Sequence, residues 1–173
     1  NIGDLTSYNP VIYGDIYGGS ALGSVNDAQD FTMVNVMSGQ IHGNIFGGGL
    51  GESGQDNASK GQVNGTVIVN IGATDGQQTP AYTGNATLYG SVYGCNNTNG
   101  SPQGNVTVNI YSTAHTTTDA VGYTADDGTN GAPTYAIANV FGGGRQADYT
   151  PSSDQSRATI YIHGCSNTIE DLF

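Results

Sequence analysis

Asp126-Asp127 is the closest this chain comes to a catalytic group. Two carboxyls on one face can share acid and base roles in glycan cleavage. That chemistry needs further carboxylates and a Lys, Arg or His gathered beside them to set their pKa values apart. Here the pair stands in a polar stretch between Thr124 and Gly131 with no basic neighbour, and it reads as a solvated turn. The imidazoles of His42, His115 and His163 and the thiols of Cys95 and Cys165 form no CxxC and no zinc spacing. No motif announces a Ser-His-Asp convergence. Calcium would require six or more oxygen ligands, and neither an EF-hand loop nor a calcium-binding nonapeptide occurs. A loop site drawing on Asp119, Asp126 or Asp127 is the one calcium option left. Gly47-Gly48-Gly49 and Gly142-Gly143-Gly144 suggest phosphate loops, but no Lys-Ser/Thr and no helical period follows either triplet. Long TxT arrays of the ice-binding kind are absent, and the sequons at Asn57, Asn64, Asn85, Asn96 and Asn105 are what chance gives an Asn- and Thr-rich chain. The expected catalytic, cofactor-binding and metal-binding sets are therefore empty: no enzyme and no cofactor.

Charge narrows the partners. Three Lys/Arg face fourteen Asp/Glu, for a net charge of −11. Lys60, Arg145 and Arg157 are scattered, so no basic patch exists for nucleic acid or an anionic membrane surface. No apolar run approaches the ~20 residues that span a bilayer, so membrane insertion is not expected. Charged residues are only 10% of the chain and hydrophobic ones 36%, unlike a disordered acidic tail. Twenty-eight glycines without a Gly-X-Y period point to a β protein with many tight turns.

Two alternating motifs would have to position any site. Motif A carries two apolar residues, then an aromatic and small residues: Ile12–Gly19, Ile41–Gly49, Leu88–Cys95 and the shorter Ile137–Gly144, with Ile169–Phe173 beginning another short copy. Motif B is a short alternating strand: Val34-Asn35-Val36, Val69-Asn70-Ile71, Val108-Asn109-Ile110 and Ile160-Tyr161-Ile162. The second apolar residues of motif A (Ile16, Ile45, Val92, Val140 and Leu172) lie 29, 47, 48 and 32 residues apart. Uneven steps between constant motifs predict a stack of like strands whose connecting loops vary in length on one side. Those five residues are expected to form one inward column, the motif B pairs to line another sheet, and the Asn residues to point outward or stack. The glycine triplets are expected at corners with positive φ. Loops fall at 50–62, 73–84, 96–104, 112–134 and 146–156. Cys95 closes a motif A while Cys165 follows a motif B, so the two are expected to remain unbonded.

The strings Gly43-Asn-Ile-Phe-Gly-Gly-Gly49, Tyr93-Gly-Cys-Asn-Asn-Thr98, Gly104-Asn-Val-Thr-Val-Asn-Ile110 and Asn139-Val-Phe-Gly-Gly-Gly-Arg-Gln-Ala-Asp148 resemble the Gly-rich repeats of very large surface proteins of Bacteroides-type gut bacteria. The resemblance covers nearly the whole chain. It implies an extracellular or outer-surface location and an adhesin-like or structural role. The expected fold is all-β: a single-domain parallel β-helix (β-solenoid) with irregular long loops, residues 1–173 being one section of a longer repetitive protein. Asn1 opens straight into repeat-like sequence, so the natural N-terminus is expected upstream. The expected partners are an unidentified surface ligand, either a glycan or a host protein, and the flanking repeats of the parent chain. A glycan-binding or polysaccharide-processing β-helix is the alternative. Tyr82, Tyr123, Tyr135 and Tyr149 lie in loops, and the faces built by 112–134 and 146–156 are where a ligand is expected.

Overall fold

A computed structural model describes residues 1–4, 8–26, 29, 31–72, 84–114, 136–163 and 167–173. The fold is all-β, built from parallel sheets; among the described residues the only helical piece is one 3-10 turn at Gln55–Asn57. Among the described residues twelve strands run in chain order: β1 Val11–Ile12, β2 Ile16–Tyr17, β3 Phe31–Val36, β4 Gln40–Ile41, β5 Ile45–Phe46, β6 Thr66–Ile71, β7 Thr87–Leu88, β8 Val92–Tyr93, β9 Val106–Ile110, β10 Ile137–Phe141, β11 Ala158–Ile162 and β12 Ile169–Leu172. They form a first sheet β1-β4-β7, a second β2-β5-β8-β10-β12 and a third β3-β6-β9-β11. Every strand pairing among the described residues is parallel; the first three passes of the chain visit the three sheets in turn, and from β10 on the described strands alternate between the second and third.

The side chains explain the register. In the second sheet Ile16 pairs with Ile45, Ile45 with Val92, Val92 with Val140, and Val140 with Leu172. In the third, Val34, Val69, Val108 and Ile160 pair in succession, as do Val36, Ile71, Ile110 and Ile162. A one-residue slip would turn each apolar row out of the core, so the repeated Val and Ile positions lock the pairing. Ile41, Ile45, Val69, Ile71, Leu88, Val92, Val108, Ile110, Ile137 and Val140 pack into one apolar cluster shared by the three sheets. Each such burial contributes about 1.5–3 kcal/mol.

The motif A reading needs refinement. Its two apolar residues lie in different sheets: Ile12, Ile41 and Leu88 in the first, Ile16, Ile45 and Val92 in the second. The short copy lacks one residue between them, and there β10 is one continuous strand pairing with β12 through Ile137 and with β8 through Val140. Leu172 corrects a second expectation. It keeps the register of its column but is 56% exposed, because β12 is an edge strand with no neighbour on its far side. The varied connections also fall at two junctions rather than one, after the second sheet (50–62, 96–104, 146–156) and after the third (73–84, 112–134).

Polar columns run beside the apolar ones. Asn109 donates through Nδ2 to Asn70 Oδ1 (2.8 Å), Asn70 to Asn35 Oδ1 (2.7 Å) and Asn35 to Asn1 Oδ1 (2.7 Å). An amide is both donor and acceptor, so identical amides one strand apart can satisfy one another head to tail. That allows Asn70 to be 1% exposed without an unpaired side-chain group. A second polar column precedes the second sheet. Asp15 Oδ1 accepts from the Asn44 amide (2.7 Å), Asn44 Oδ1 from the Ser91 amide (3.0 Å), and Asn139 Nδ2 donates to Ser91 Oγ (3.2 Å). Asn139 pairs in turn with Asp171.

The glycine triplets turn the chain, but not through positive φ, which no residue of 47–49 or 142–144 adopts. Close approach is the reason for Gly47-Gly48-Gly49. Gly18 N donates to Phe46 O, Gly47 N to Tyr93 O, Gly94 N to Phe141 O and Gly142 N to Phe173 O, at 2.8–2.9 Å, which continues the ladder past the strand ends. A Cβ on Gly47 would lie 2.4 Å from Val67 Cγ1 and 2.5 Å from Gly94 O. One on Gly48 would lie 1.9 Å from Asn96 Oδ1.

Candidate functional site

The connections after the second sheet build a polar surface away from the ends of the sheets. Segment 50–62 is shaped by glycines that do need positive φ, at Gly51 (73°), Gly54 (108°) and Gly61 (77°). Successive connections bond to one another much as the strands do. The amides of Leu50 and Gly51 bond to Ser20 O and Ala21 O, those of Asn97 and Thr98 to Gly49 O and Leu50 O, and those of Gln146 and Ala147 to Asn97 O. Asn96, wholly buried, accepts from Gly49 N (3.0 Å) and donates to Gly61 O (2.8 Å) and Asn99 O (2.9 Å). Asn99 then ties down the neighbouring turn through Glu52 O (3.0 Å) and Gly54 O (3.1 Å).

Two open hollows result, of 590 and 240 Å³, which share Ala58, Asn99 and Gln146 and join into one groove. Ser53, Gln55 and Thr98 line one part, and Ser101, Asp148 and Thr150 the other. Apart from Asp148 the lining is uncharged: amides, hydroxyls, backbone and the methyl groups of Ala58 and Ala147. It can exchange hydrogen bonds with hydroxyl-rich molecules, but it offers no nucleophile paired with a base. The Lys60–Glu52 ion pair lies on the same segment, both side chains well exposed, and contributes little to stability.

Beneath the groove a second small core gathers Val63, Val67, Cys95 and Val106, with Tyr149 packed against it. Tyr149, one of the loop tyrosines, thus packs down its loop against this core. Its hydroxyl donates to Gly104 O (2.8 Å), and burial pushes the phenol above its ordinary pKa. Cys95 is a free, buried thiol, pushed up to about 12 by burial and so neutral across the physiological range. Cys165 lies outside the described residues, as do His115, Asp119, Asp126, Asp127, Tyr82, Tyr123, Tyr135 and most of 112–134.

The remaining candidate groups stack. Tyr17, Phe46, Tyr93, Phe141 and Phe173 form a ladder of near-parallel rings with centroids 4.6–5.1 Å apart. Tyr13, His42 and Tyr89 form a shorter, exposed one (5.0 and 4.3 Å), and His163 stacks on Tyr111 (4.3 Å) while its Nε2 meets Asn109 Oδ1 (3.0 Å). Rings stacked this way cover one another's faces and turn their edges outward, so the central ones cannot serve as platforms for a flat ligand. His42 and His163 are thus surface histidines held by packing, as their positions suggested. Among the described residues no three His, Cys, Asp or Glu side chains converge where they could hold a metal ion. Nor, among them, is any helix long and apolar enough to cross a membrane.

Comparison with known proteins adds no assignment. No family model matches the chain, and no curated protein and no solved structure is found similar to it.

Sequence reasoning placed segment 146–156 at a binding face, and its Gln146, Asp148 and Thr150 do line the groove. It missed the contributions of 50–62 and 96–104. A signal was present: the Asn-Asn-Thr-Asn run at 96–99 offers more amides than a solvated loop needs. The exposed ladder was also legible, since an aromatic or imidazole ring follows the first apolar residue of motif A in three copies.

Proposed function

We propose that the chain is a section of a parallel β-solenoid from a longer repetitive bacterial surface protein, acting outside the cell as a rigid, non-catalytic structural or adhesin-like module. One observation supports this above all: inward apolar residues pair with apolar residues, in parallel register, in all three sheets. Such a stack repeats one cross-section, so connections can vary without disturbing the core. Its axis is bridged at every step by backbone bonds, amide columns and ring stacks, which suits a load-bearing spacer. Its net charge of −11 favours solubility. The resemblance to the Gly-rich repeats of Bacteroides-type surface proteins supports the location and the longer parent chain.

Binding of a glycan or host protein is the second part of the proposal, and the groove, with its amides, hydroxyls and the single carboxylate of Asp148, favours a hydroxyl-rich ligand. The test is a glycan array probed with the 173-residue chain, beside turnover assays on a polysaccharide panel. Retention without turnover is expected, and Gln55→Ala with Gln146→Ala in the groove lining should weaken retention while leaving the β signal in circular dichroism intact. Turnover of any polysaccharide that is lost on Asp126→Asn or Asp127→Asn would overturn the non-catalytic reading.

A further inference from the structure

The groove owes its shape to connections of unequal length. In the second sheet β8 lies between β5 and β10, so the connection at 94–105 runs between those at 47–65 and 142–157. It is the shortest of the three. Gly100 and Ser101 on it are buried, whereas Gln55 and Asp56 on one side and Gln146 and Asp148 on the other are exposed. The middle connection is thus a floor and the longer two are walls. Side chains of the floor tie both walls down: Asn99 donates to Glu52 O and Gly54 O, and Ser101 Oγ accepts from the Thr150 amide (2.8 Å). The walls rise from strands two steps apart in the sheet, about 10 Å. The space between them is one polymer chain wide and runs across the stack.

We propose that this groove takes a single chain of an uncharged polysaccharide laid across the stack, and that Asp148 turns acidic chains away. The inference rests on the binding reading above and narrows its ligand class. Among the described residues nothing holds the side-chain amides of Gln55 and Gln146 or the hydroxyls of Ser53 and Thr98, all of which line the groove. Amides and hydroxyls both donate and accept, as every sugar hydroxyl does, so the two surfaces can satisfy one another in either direction.

An acidic chain meets a different surface. A carboxylate or sulfate only accepts, and leaving water without a cationic partner is costly. The lining holds no Lys or Arg. Lys60 is committed to Glu52, and Arg145 stands outside the lining, where its charge acts on the Tyr17 phenol. Asp148 instead places a carboxylate in one wall, and Asp56 follows Gln55 in the other. Like charges brought together in this way reject a partner whose hydroxyls alone would fit.

A glycan array and amide chemical shifts on the folded 173-residue chain test this together. The array carries neutral gluco-, manno-, galacto- and xylo-oligosaccharides beside uronate, sialylated and sulfated ones. The wild type should retain neutral chains only. Titration with a retained oligosaccharide should shift the amide signals of Ser53, Gln55, Thr98 and Gln146 together and leave those of Thr87 and Leu88 in place. Asp148→Asn, at an exposed side chain, should keep the wild-type circular dichroism and strengthen retention of acidic chains at least about tenfold, with neutral chains unchanged. Salt at about 1 M, which screens charges beyond roughly 3 Å, should give the wild type a similar gain. The inference is overturned if acidic chains are retained as tightly as neutral ones, if Asp148→Asn leaves the discrimination as it was, or if the shifts fall outside the groove. In each of those cases glycan binding itself stands. Retention of no glycan at all overturns the binding reading and this inference together.

Discussion

Ile45→Asp should abolish the fold. Ile45 is 1% exposed, lies on an interior strand of the five-stranded second sheet and is flanked in register by Ile16 and Val92. Removing a buried Ile side chain costs about 2–5 kcal/mol, and a carboxylate left in its place has no cation among the apolar residues around it. The combined loss is on the order of the 5–15 kcal/mol that holds a typical domain together. The expected result is loss of the β signal in circular dichroism and of any cooperative thermal transition. Leu172→Asp provides the internal control. It occupies the same column at the exposed edge, so its cost should stay within about 0.5 kcal/mol. Equal effects at the two positions would mean that the column has no inner side.

Gly47→Ala should destabilise by about 3 kcal/mol, whereas Gly143→Ala should change stability by no more than about 0.5 kcal/mol. Both residues belong to a Phe-Gly-Gly-Gly string, and neither has positive φ, so intrinsic preference does not separate them. Surroundings do. A methyl on Gly47 would meet the Gly94 carbonyl at 2.5 Å, where backbone would have to move, while one on Gly143 meets nothing within 4 Å. Urea titration of both variants checks the contrast. Similar losses at both sites would show that the triplets serve to turn the chain and not to allow close stacking.

The glycine result shows where sequence reading reached its limit. Val69, Val108 and Ile110 announced their sheet because alternation with β-branched residues has a period that a single chain displays. Ile16, Ile45, Val92 and Val140 were legible because each sits before an aromatic and a glycine, a local mark that survives changes in loop length. By contrast, the two-residue strands of the first sheet are too short to show any period, so Ile12, Ile41 and Leu88 read as part of one motif. A φ angle is a property of one residue and can be guessed from glycine alone, but the approach of Gly47 to Gly94 depends on a neighbour 47 residues away. The groove was half legible for a related reason. Segment 146–156 looked like a loop, yet its partners Asn97, Ser101 and Gln103 meet it only because the strands on either side stack in register.

That register is the claim on which the rest depends, and through-hydrogen-bond couplings in a labelled sample of the 17.7 kDa chain measure it most directly. Parallel stacking predicts couplings from Ile45 N to the Ser91 carbonyl, Gly47 N to Tyr93, Gly94 N to Phe141 and Val67 N to Asn105. Couplings that instead join neighbouring segments in antiparallel order, such as a hairpin between β5 and β6, would contradict it.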